Sequence, residues 1–254
     1  MLSVGQVPGS QCSDLSSPTG AGEKIAIVTA LHREVSELVK KWKAVIRQHE
    51  GREFRFFENA DLVLVCGGIG AEAARRATQA IIRCYNPGLI VSAGFAGALV
   101  SGLKVGDVLA PRWVIDAKDG SRHDTGNNEG ALLTFGRIAS ATEKAKLADV
   151  YGAVAVDMEA SAVARGAETH GIRFLAIKTI SDQSDFAMPP VDRFVDGAGR
   201  FETMGFAAFA ALRPWLWKSV IQLGRNSAIA SRVLRKTLIQ ESILRMAASK
   251  RGKS

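Results

Sequence analysis

The sequence predicts an α/β protein with three layers, α/β/α, in which helices cover both faces of a central mixed, mostly parallel sheet. Short runs rich in Val and Ile alternate with longer segments of helical periodicity between residues 24 and 180. Strands and helices that alternate along a chain pack in this way. Hydrophobic residues make up 47% of the 254 positions, which is enough to fill the core of one large domain.

Eight segments have the composition of strands. They are residues 24–30, 53–57, 62–66, 89–93, 105–115, 131–135, 153–156 and 174–180. Helical spacing of apolar residues predicts helices over residues 35–46, 71–85, 142–151 and 158–170. Residues 116–130 are polar and predict a loop, residues 181–200 predict an irregular segment, and the remainder predicts helices.

The composition divides the chain into three parts. Residues 1–23, rich in Ser, Gly and Pro, predict a disordered leader that lacks the basic and apolar regions of a secretory signal. Residues 24–213 predict one catalytic domain, and residues 214–254 predict a basic helical extension. Positions 215–254 hold nine Lys or Arg and a single acid, which accounts for the whole net charge of +8. The neutral body argues against nucleic-acid binding as the main function.

The cysteine pattern predicts a reducing, cytoplasmic location. Cys12, Cys66 and Cys84 form an odd, sparse set without CxxC spacing, which argues against a disulfide framework and against a zinc site. The apolar runs are shorter than the roughly 20 residues that a membrane-spanning helix needs. We therefore expect no metal site at the cysteines and no membrane-spanning helix.

Acidic residues follow several of the predicted strands, at the edge of the sheet where such folds bind ligands. Asp182 follows a buried strand, where partial desolvation favours the protonated carboxyl that a general acid requires; a helix N-cap is the alternative. Asp157 and Glu159 begin a helix, so they could hold a ribose diol or simply suit the helix dipole. Glu34 could position a water molecule, or it could be an ordinary charged residue in a first helical turn.

Six stretches together resemble the nucleoside phosphorylase superfamily, and in particular its methylthioadenosine/S-adenosylhomocysteine nucleosidase branch. They occur in the family's order and read KIAIVTALHREV, CGGIG, IVSAGFAG, LKVGDVLAP, AVAVDMEASAVA and IKTISDQSD. The resemblance implies the phosphorylase/hydrolase-like form of the three-layer fold. It also implies that the chain cuts the N-glycosidic bond of an adenine nucleoside without a metal or an organic cofactor. The assembly that the resemblance implies is a homodimer or larger.

The resemblance implies roles for individual residues. Asp182 corresponds to the general acid that protonates the purine, and Glu34 corresponds to the carboxylate that activates the attacking water. Met158 and Glu159 correspond to the ribose contacts, and Glu159 accepts from the diol. The other predicted substrate-binding residues are Phe95, Ala96, Gly97 and Ser181.

Two departures from the family's pattern keep alternatives open. Phosphorolytic members carry an Arg shortly before AGFAG, where this chain has Ser92, so hydrolysis is the main hypothesis. In the phosphorolytic alternative, Arg33 would bind the phosphate. Residues 136–139 supply no aromatic side chain to stack on the base. The alternative from another class is therefore a catalytically inactive, nucleoside-binding protein that associates with a membrane.

A narrower likeness concerns the C-terminal third of the chain. Residues 188–228 resemble the hopanoid-associated phosphorylase/nucleosidase branch, which is linked to the removal of adenine from adenosylhopane. Between Arg225 and Leu238, helical spacing separates an apolar arc from a basic one. With Trp215 and Trp217 upstream, this pattern suits an anionic membrane surface, to which the protein would be peripheral. The alternative is a helix that packs on the body or on a second subunit.

Overall fold

A computed structural model describes residues 10–12, 24–128 and 130–240. In this part of the chain, twelve strands form one sheet with six helices around it. The strands are Ser10–Gln11 (β1), Ile25–Thr29 (β2), Lys43–His49 (β3), Arg52–Asn59 (β4), Leu62–Cys66 (β5), Leu89–Ala98 (β6), Val108–Leu109 (β7), Trp113–Asp116 (β8), Arg122–Asp124 (β9), Ala131–Thr134 (β10), Ala155–Asp157 (β11) and Arg173–Asp182 (β12). The helices are His32–Val39 (α1), Ala71–Tyr85 (α2), Ala141–Tyr151 (α3), Ala160–Thr169 (α4), Thr203–Ala211 (α5) and Trp217–Ile239 (α6).

The sheet is mixed, and its centre is parallel. Strands β5, β2, β6 and β12 lie side by side in parallel, while β3, β4 and β5 form an antiparallel meander at one edge. The long strand β6 pairs with β2 along its first four residues and with β12 along nearly its whole length. Where β2 has ended, β11 pairs antiparallel with Gly97 and Ala98 of β6. The predicted fold class is confirmed.

Helices cover both faces of the sheet because each presents one apolar side to it. On one face, α2 and α4 pack together through small residues such as Ala77 and Ala164, which are fully buried. On the other face, α1 and α6 pack against β12 and β2, and Val35 and Leu234 fill the space between them.

Two predicted elements differ from the structure. The apolar spacing of residues 35–46 predicted one helix, but α1 ends at Val39 and Ile46 lies in β3. Here β3 forms a hairpin with β4, and the pairing of Ile46 with Arg55 overrides a periodicity that is compatible with a helix. The predicted loop 116–130 contains β9, which pairs antiparallel with β8.

The start of the chain also differs from the prediction of a disordered leader. Ser10–Gln11 adds to the sheet beside β3, and Cys12 is buried and forms a disulfide with Cys84 of α2. The expectation that the chain has no disulfide is therefore wrong. The strand brings Cys12 to a Cα–Cα distance of 4.8 Å from a residue 72 positions away, which cysteine spacing cannot reveal. The remainder of the leader lies outside the described residues.

The C-terminal helix α6 packs on the body of the protein. Ala230, Leu234 and Leu238 of its apolar arc are buried, and α6 packs against β12 and α1, whereas Ile229 of the same arc is 42% exposed. Residues 241–254 lie outside the described part. No helix between residues 24 and 240 is both long and apolar enough to cross a membrane.

Candidate active site

The ends of three strands meet around the last residues of β6. Strand β2 stops beside the middle of β6, β12 follows β6 as far as Gly97, and β11 pairs with β6 from Gly97 onward. The segments that follow β2, β11 and β12 carry acidic side chains. They form two buried polar clusters, one against Gly94 and one against Gly97.

Glu34 belongs to the first cluster. It lies in the first turn of α1, where its Oε2 atom accepts hydrogen bonds from the Thr29 hydroxyl at 2.5 Å and the Leu31 amide at 3.4 Å. A Cβ atom at Gly94 would lie 3.0 Å from the same oxygen, so glycine allows the carboxylate to pack this closely on β6. Burial raises the pKa of Glu34, although the Thr29 hydrogen bond and the charge of Lys178 act in the opposite direction.

A buried ion pair lies beside Glu34. Lys178 Nζ, in the middle of β12, is 2.8 Å from Asp157 Oδ2 and donates a hydrogen bond to Ser92 Oγ at 3.0 Å. The two charged side chains are 2% and 0% exposed. Asp157 also accepts from the Thr134 hydroxyl and from the Ala160 amide at the start of α4. These contacts satisfy both carboxylate oxygens, as a buried charge requires.

Glu159 completes the first cluster. Its Oε1 atom accepts from the Gly70 amide at 2.7 Å, and its Oε2 atom accepts from the Met158 amide at 3.2 Å. Burial raises the pKa of Glu159 to about 7, and the negative charge of Asp157 adds to this, whereas Lys178 opposes it. Burial lowers the pKa of Lys178, but attraction to Asp157 and Glu159 outweighs burial, so the net change is upward.

The first cluster lines a small cavity. Its volume is about 10 Å³, which is about the space that one water molecule needs. The polar residues that line it are Thr29, Glu34, Ser92, Glu159 and Lys178, and Phe95 forms part of its apolar wall. The carboxylates of Glu34 and Glu159 face this space, together with the Lys178 ammonium group, which is already paired with Asp157. The cavity therefore suits a neutral polar molecule better than an anion.

Asp182 belongs to the second cluster, at the end of β12. Its Oδ1 atom accepts from the Ser181 hydroxyl at 2.7 Å, and its Oδ2 atom accepts from Lys144 Nζ of α3 at 2.5 Å. Lys144 Nζ also donates to the Gln183 carbonyl at 2.8 Å. A Cβ atom at Gly97 would lie 2.8 Å from Asp182 Oδ2, so glycine is needed here. Asp182 and Lys144 thus form a second buried ion pair.

The structure divides the predicted site residues among several places. Glu34, Glu159 and Phe95 line the small cavity, whereas Asp182 is not among the described residues that line it. The second cluster contains the others of the AGFAG and ISD motifs, namely Ala96, Gly97, Ser181 and Asp182.

Two predicted residues do not bring their side chains to either cluster. Met158 contributes its backbone amide to Glu159, as described above. Arg33 lies on the exposed side of α1, where its guanidinium group is 5.3 Å from the centre of the Phe201 ring.

Sequence reasoning assigned no role to Lys144 or Lys178. A signal for Lys178 was available, because a single lysine inside the apolar run AIKTI must find a buried partner or leave the strand. Lys144 gave no such signal. It lies in a helix with several other charged residues, and its partner Asp182 is 38 positions away.

A comparison with protein families matches residues 24–139 and 132–203 to the phosphorylase superfamily. The chain belongs to the phosphorylase superfamily. A relative from Buchnera aphidicola subsp. Acyrthosiphon pisum (strain APS), named 5′-methylthioadenosine/S-adenosylhomocysteine nucleosidase, is 27% identical over 199 residues. The alignment covers 64% of this chain and 86% of the relative.

Solved structures of the superfamily share the fold. A Helicobacter pylori 5′-methylthioadenosine/S-adenosylhomocysteine nucleosidase variant, with 5′-methylthioadenosine in its active site, superimposes with a TM-score of 0.61 and 19% identity, covering 85% of this chain and 98% of that one. The futalosine hydrolase of Helicobacter pylori gives the same TM-score and identity, covering 85% and 97%. The family match and the named relative identify the protein as an enzyme of the phosphorylase superfamily, and the solved structures show that it shares their fold.

The pKa of Glu159 predicts a pH-dependent cost to stability. Because its pKa is raised from an ordinary 4.5 to about 7, the folded state holds this proton more tightly than the unfolded state does. Protonated Glu159 makes its full contribution to the free energy of unfolding below about pH 4.5, and this contribution is lost as the pH rises through 7. We expect Glu159→Gln to gain up to about 3 kcal/mol of unfolding free energy, relative to wild type, between pH 5 and pH 8. Urea unfolding across this range measures the gain, and a constant difference would contradict the assignment.

The Lys144–Asp182 pair predicts strong coupling between the two side chains. Lys144→Met leaves the Asp182 carboxylate buried without its cation, so we expect a loss of about 3–5 kcal/mol of unfolding free energy at pH 7. Adding Asp182→Asn removes the unpaired charge and should recover part of that loss. Urea unfolding of the wild type, both single variants and the double variant gives the coupling energy. Additive effects would show that the pair does not interact in solution.

Proposed function

We propose that the protein hydrolyses the N-glycosidic bond of an adenine nucleoside. One observation carries the proposal: the carboxylates of Glu34 and Glu159 line one cavity, which has room for about one water molecule. A hydrolytic nucleosidase needs a base for the water and a hydrogen-bond acceptor for the ribose. These two side chains supply both functions in one place.

In this proposal Glu34 is the general base. The raised pKa makes its carboxylate a better proton acceptor than an exposed glutamate. The Thr29 hydroxyl and the Leu31 amide fix the position of one carboxylate oxygen, and the other oxygen is available to a water in the cavity. As the glycosidic bond breaks, the negative charges of Glu34 and Glu159 also stabilise the positive charge that develops on the sugar.

Asp182 is the proposed source of the proton for the leaving purine. Its position against Gly97 places it two residues beyond Phe95 on β6, so a nucleoside with its sugar at the cavity would extend its base toward Asp182. Both carboxylate oxygens accept hydrogen bonds, from the Ser181 hydroxyl and from Lys144 Nζ. Because Lys144 Nζ donates to Oδ2, we propose that Lys144 positions the carboxyl group.

The charges around the cavity favour water over phosphate as the nucleophile. A phosphate dianion there would face Glu34 and Glu159, and Lys178, the cation among the described lining residues, is already paired with Asp157. Arg33, the candidate phosphate ligand of the phosphorolytic alternative, lies on the exposed side of α1 instead. Inactive nucleoside binding is the remaining alternative, and turnover measurements decide it.

The identity of the 5′ substituent belongs to the proposal. The Buchnera aphidicola relative acts on methylthioadenosine and S-adenosylhomocysteine by its name, so we propose nucleosides of this type as substrates. Adenosylhopane is a second candidate that rests on the likeness of residues 188–228 to the hopanoid-associated branch. We further propose that residues 24–213 form the catalytic domain, and that the protein is a homodimer or larger assembly.

Removing the general base should abolish hydrolysis without unfolding the protein. In Glu34→Gln the amide oxygen can still accept from Thr29, but the side chain cannot take up a proton. We expect kcat for adenine release from methylthioadenosine to fall about 10²–10⁴-fold, and Asp182→Asn to fall by a similar factor. The exposed Glu53→Gln on β4 serves as the matched control and should keep full activity. Unchanged turnover in Glu34→Gln would disprove the mechanism, and turnover that requires phosphate would select phosphorolysis.

We also propose that the segment between α5 and α6 attaches the protein to an anionic membrane surface. Leu212, Trp215 and Trp217 are 78%, 73% and 51% exposed, and the basic residues Lys218 and Arg225 follow on α6. Exposed tryptophans beside basic residues suit the interface of an anionic bilayer. This surface lies outside the apolar arc that α6 buries against the body.

Vesicle sedimentation tests the membrane proposal. We expect the protein to sediment with vesicles of phosphatidylcholine and 30% phosphatidylserine, and not with phosphatidylcholine alone. Trp215→Ser with Trp217→Ser should weaken binding at least about tenfold, whereas Val150→Ser, which replaces an equally exposed apolar residue of α3, should not. If the double variant instead changes the oligomeric state in light scattering, the surface is a subunit interface and the membrane proposal is wrong.

A further inference from the structure

The loop between β5 and α2 supplies a hydrogen bond to Glu159. We call its residues 67–70, which read Gly-Gly-Ile-Gly, the glycine loop. Gly68 and Gly70 have φ values of +105° and +94°, a conformation that other residues rarely adopt. Because glycine has the most backbone freedom to lose on folding, such a loop keeps one shape only where contacts from outside hold it. The Gly70 amide that donates to Glu159 Oε1 therefore depends on those contacts.

Each backbone amide of the glycine loop donates to a partner outside the loop. The first two amides donate to the carbonyls of residues 29 and 30, at 2.8 and 2.9 Å. The Ile69 amide donates to the Gly199 carbonyl at 2.8 Å, and the Gly70 amide donates to Glu159 at 2.7 Å. Gly199 lies in the segment between β12 and α5. The contact with this segment is thus the one that immediately precedes the amide bound to Glu159.

The glycine loop and Gly199 pack so closely that neither side has room for a larger side chain. Gly199 is buried and has a φ of +77°. A Cβ atom there would lie 2.5 Å from the carbonyl oxygen of Ile69 and 2.8 Å from its nitrogen. A Cβ atom at Gly68 would lie 3.1 Å from the carbonyl oxygens of Ala198 and Gly199. The contact is therefore a specific fit of one backbone against another.

Asp196 holds Gly199 in this position. Its Oδ1 atom accepts hydrogen bonds from the backbone amides of Ala198 and Arg200, both at 2.8 Å. The Gly199 amide donates to the Asp196 carbonyl at 2.9 Å, and the Asp196 amide donates to the Arg200 carbonyl at 3.0 Å. These bonds close residues 196–200 into a tight turn, which we call the Asp196 turn. Asp196 is itself exposed, so its replacement removes these bonds without leaving a cavity in the core.

We infer that Asp196 is a positioning residue for the reaction, because the Asp196 turn holds the glycine loop so that the Gly70 amide meets the Glu159 carboxylate. The inference rests on the proposed function, in which ionised Glu159 accepts from the ribose and stabilises the positive charge that develops on the sugar. Burial has the largest effect on the pKa of Glu159 and raises it, whereas the hydrogen bond from the Gly70 amide lowers it. A loosened glycine loop weakens this hydrogen bond and so raises the pKa further.

Two variants of Asp196 separate this positioning role from a simple effect of charge. Loss of the negative charge of Asp196 would by itself lower the pKa of another carboxyl group, whereas loosening of the glycine loop raises the pKa of Glu159. Asp196→Ala removes both the charge and the acceptor of the turn. Asp196→Asn removes the charge alone, since its amide oxygen can still accept from the two backbone amides. The other charges that act on Glu159 are those of Asp157, Lys178 and Glu34, and both variants leave them in place.

Carbon-13 NMR of the glutamate carboxyl groups in the full-length protein measures the pKa of Glu159, and Glu159→Gln assigns its signal. We expect Asp196→Ala to raise this pKa by about half a unit or more, and Asp196→Asn to keep it near the wild-type value. The acidic limb of the pH profile of kcat/KM for adenine release from methylthioadenosine should move to higher pH by the same amount. Gly199→Ala, whose Cβ atom would collide with Ile69, should act in the same direction. Asp192→Ala, which removes an exposed acid of the same segment, is the matched control and should change neither value.

The outcomes separate the inference from the proposed function. An unchanged or lowered pKa of Glu159 in Asp196→Ala, with wild-type circular dichroism, would overturn the inference, and so would an equal rise in Asp196→Asn or Asp192→Ala. In an active enzyme, a raised pKa with an unchanged pH profile would overturn it too. If the wild type cleaves no nucleoside, the proposed function is wrong, and the pKa alone then decides whether Asp196 positions Glu159. Should Asp196→Ala fail to fold, the same comparison with Gly199→Ala decides.

Discussion

The ion pair between Lys178 and Asp157 is the interaction on which the rest of the site depends. Three carboxylates, those of Glu34, Asp157 and Glu159, act on one buried ammonium group in the middle of β12. Burial favours the neutral forms of Glu34 and Glu159, and the positive charge of Lys178 opposes this effect on both pKa values. The lysine in turn stays charged because these acids outweigh the cost of its burial. Neither side of this balance is stable in the core without the other.

This balance of charges determines whether the cavity favours a neutral molecule or an anion. Pairing with Asp157 neutralises most of the positive charge of Lys178, so the cavity presents the two glutamates to whatever enters it. A water molecule can donate to both carboxylates, whereas an anion would be repelled by them. The same arrangement raises the pKa values of Glu34 and Glu159. Ionising either glutamate therefore costs more free energy in the folded state than in the unfolded state. The ionised glutamates thus lower the stability of the folded protein, and their carboxylates accept a proton more readily than exposed carboxylates do.

The fold and part of the site could be predicted because their signals are local. Strand and helix periodicity identified most of the sheet, and the rule that ligands bind at strand ends selected Glu34, Glu159 and Asp182. Long-range pairing could not be predicted, because no local pattern connects the residues that form the Cys12–Cys84 disulfide or the Lys144–Asp182 ion pair. The prediction of a helix over residues 40–46 was wrong for a related reason. Pairing with a hairpin partner can make a strand of a sequence that is compatible with a helix.

The C-terminal helix α6 lies beyond residue 203, where the family match ends, and it contacts the helix that carries Glu34. Ser231 Oγ of α6 donates a hydrogen bond to the backbone carbonyl of Glu34, so α6 helps to fix the helix that carries the residue proposed as the base. A change in α6 would therefore alter the position of Glu34. Such coupling gives a physical route by which an extension outside the family's common core can affect the proposed base without any change in the residues that surround the reacting bond.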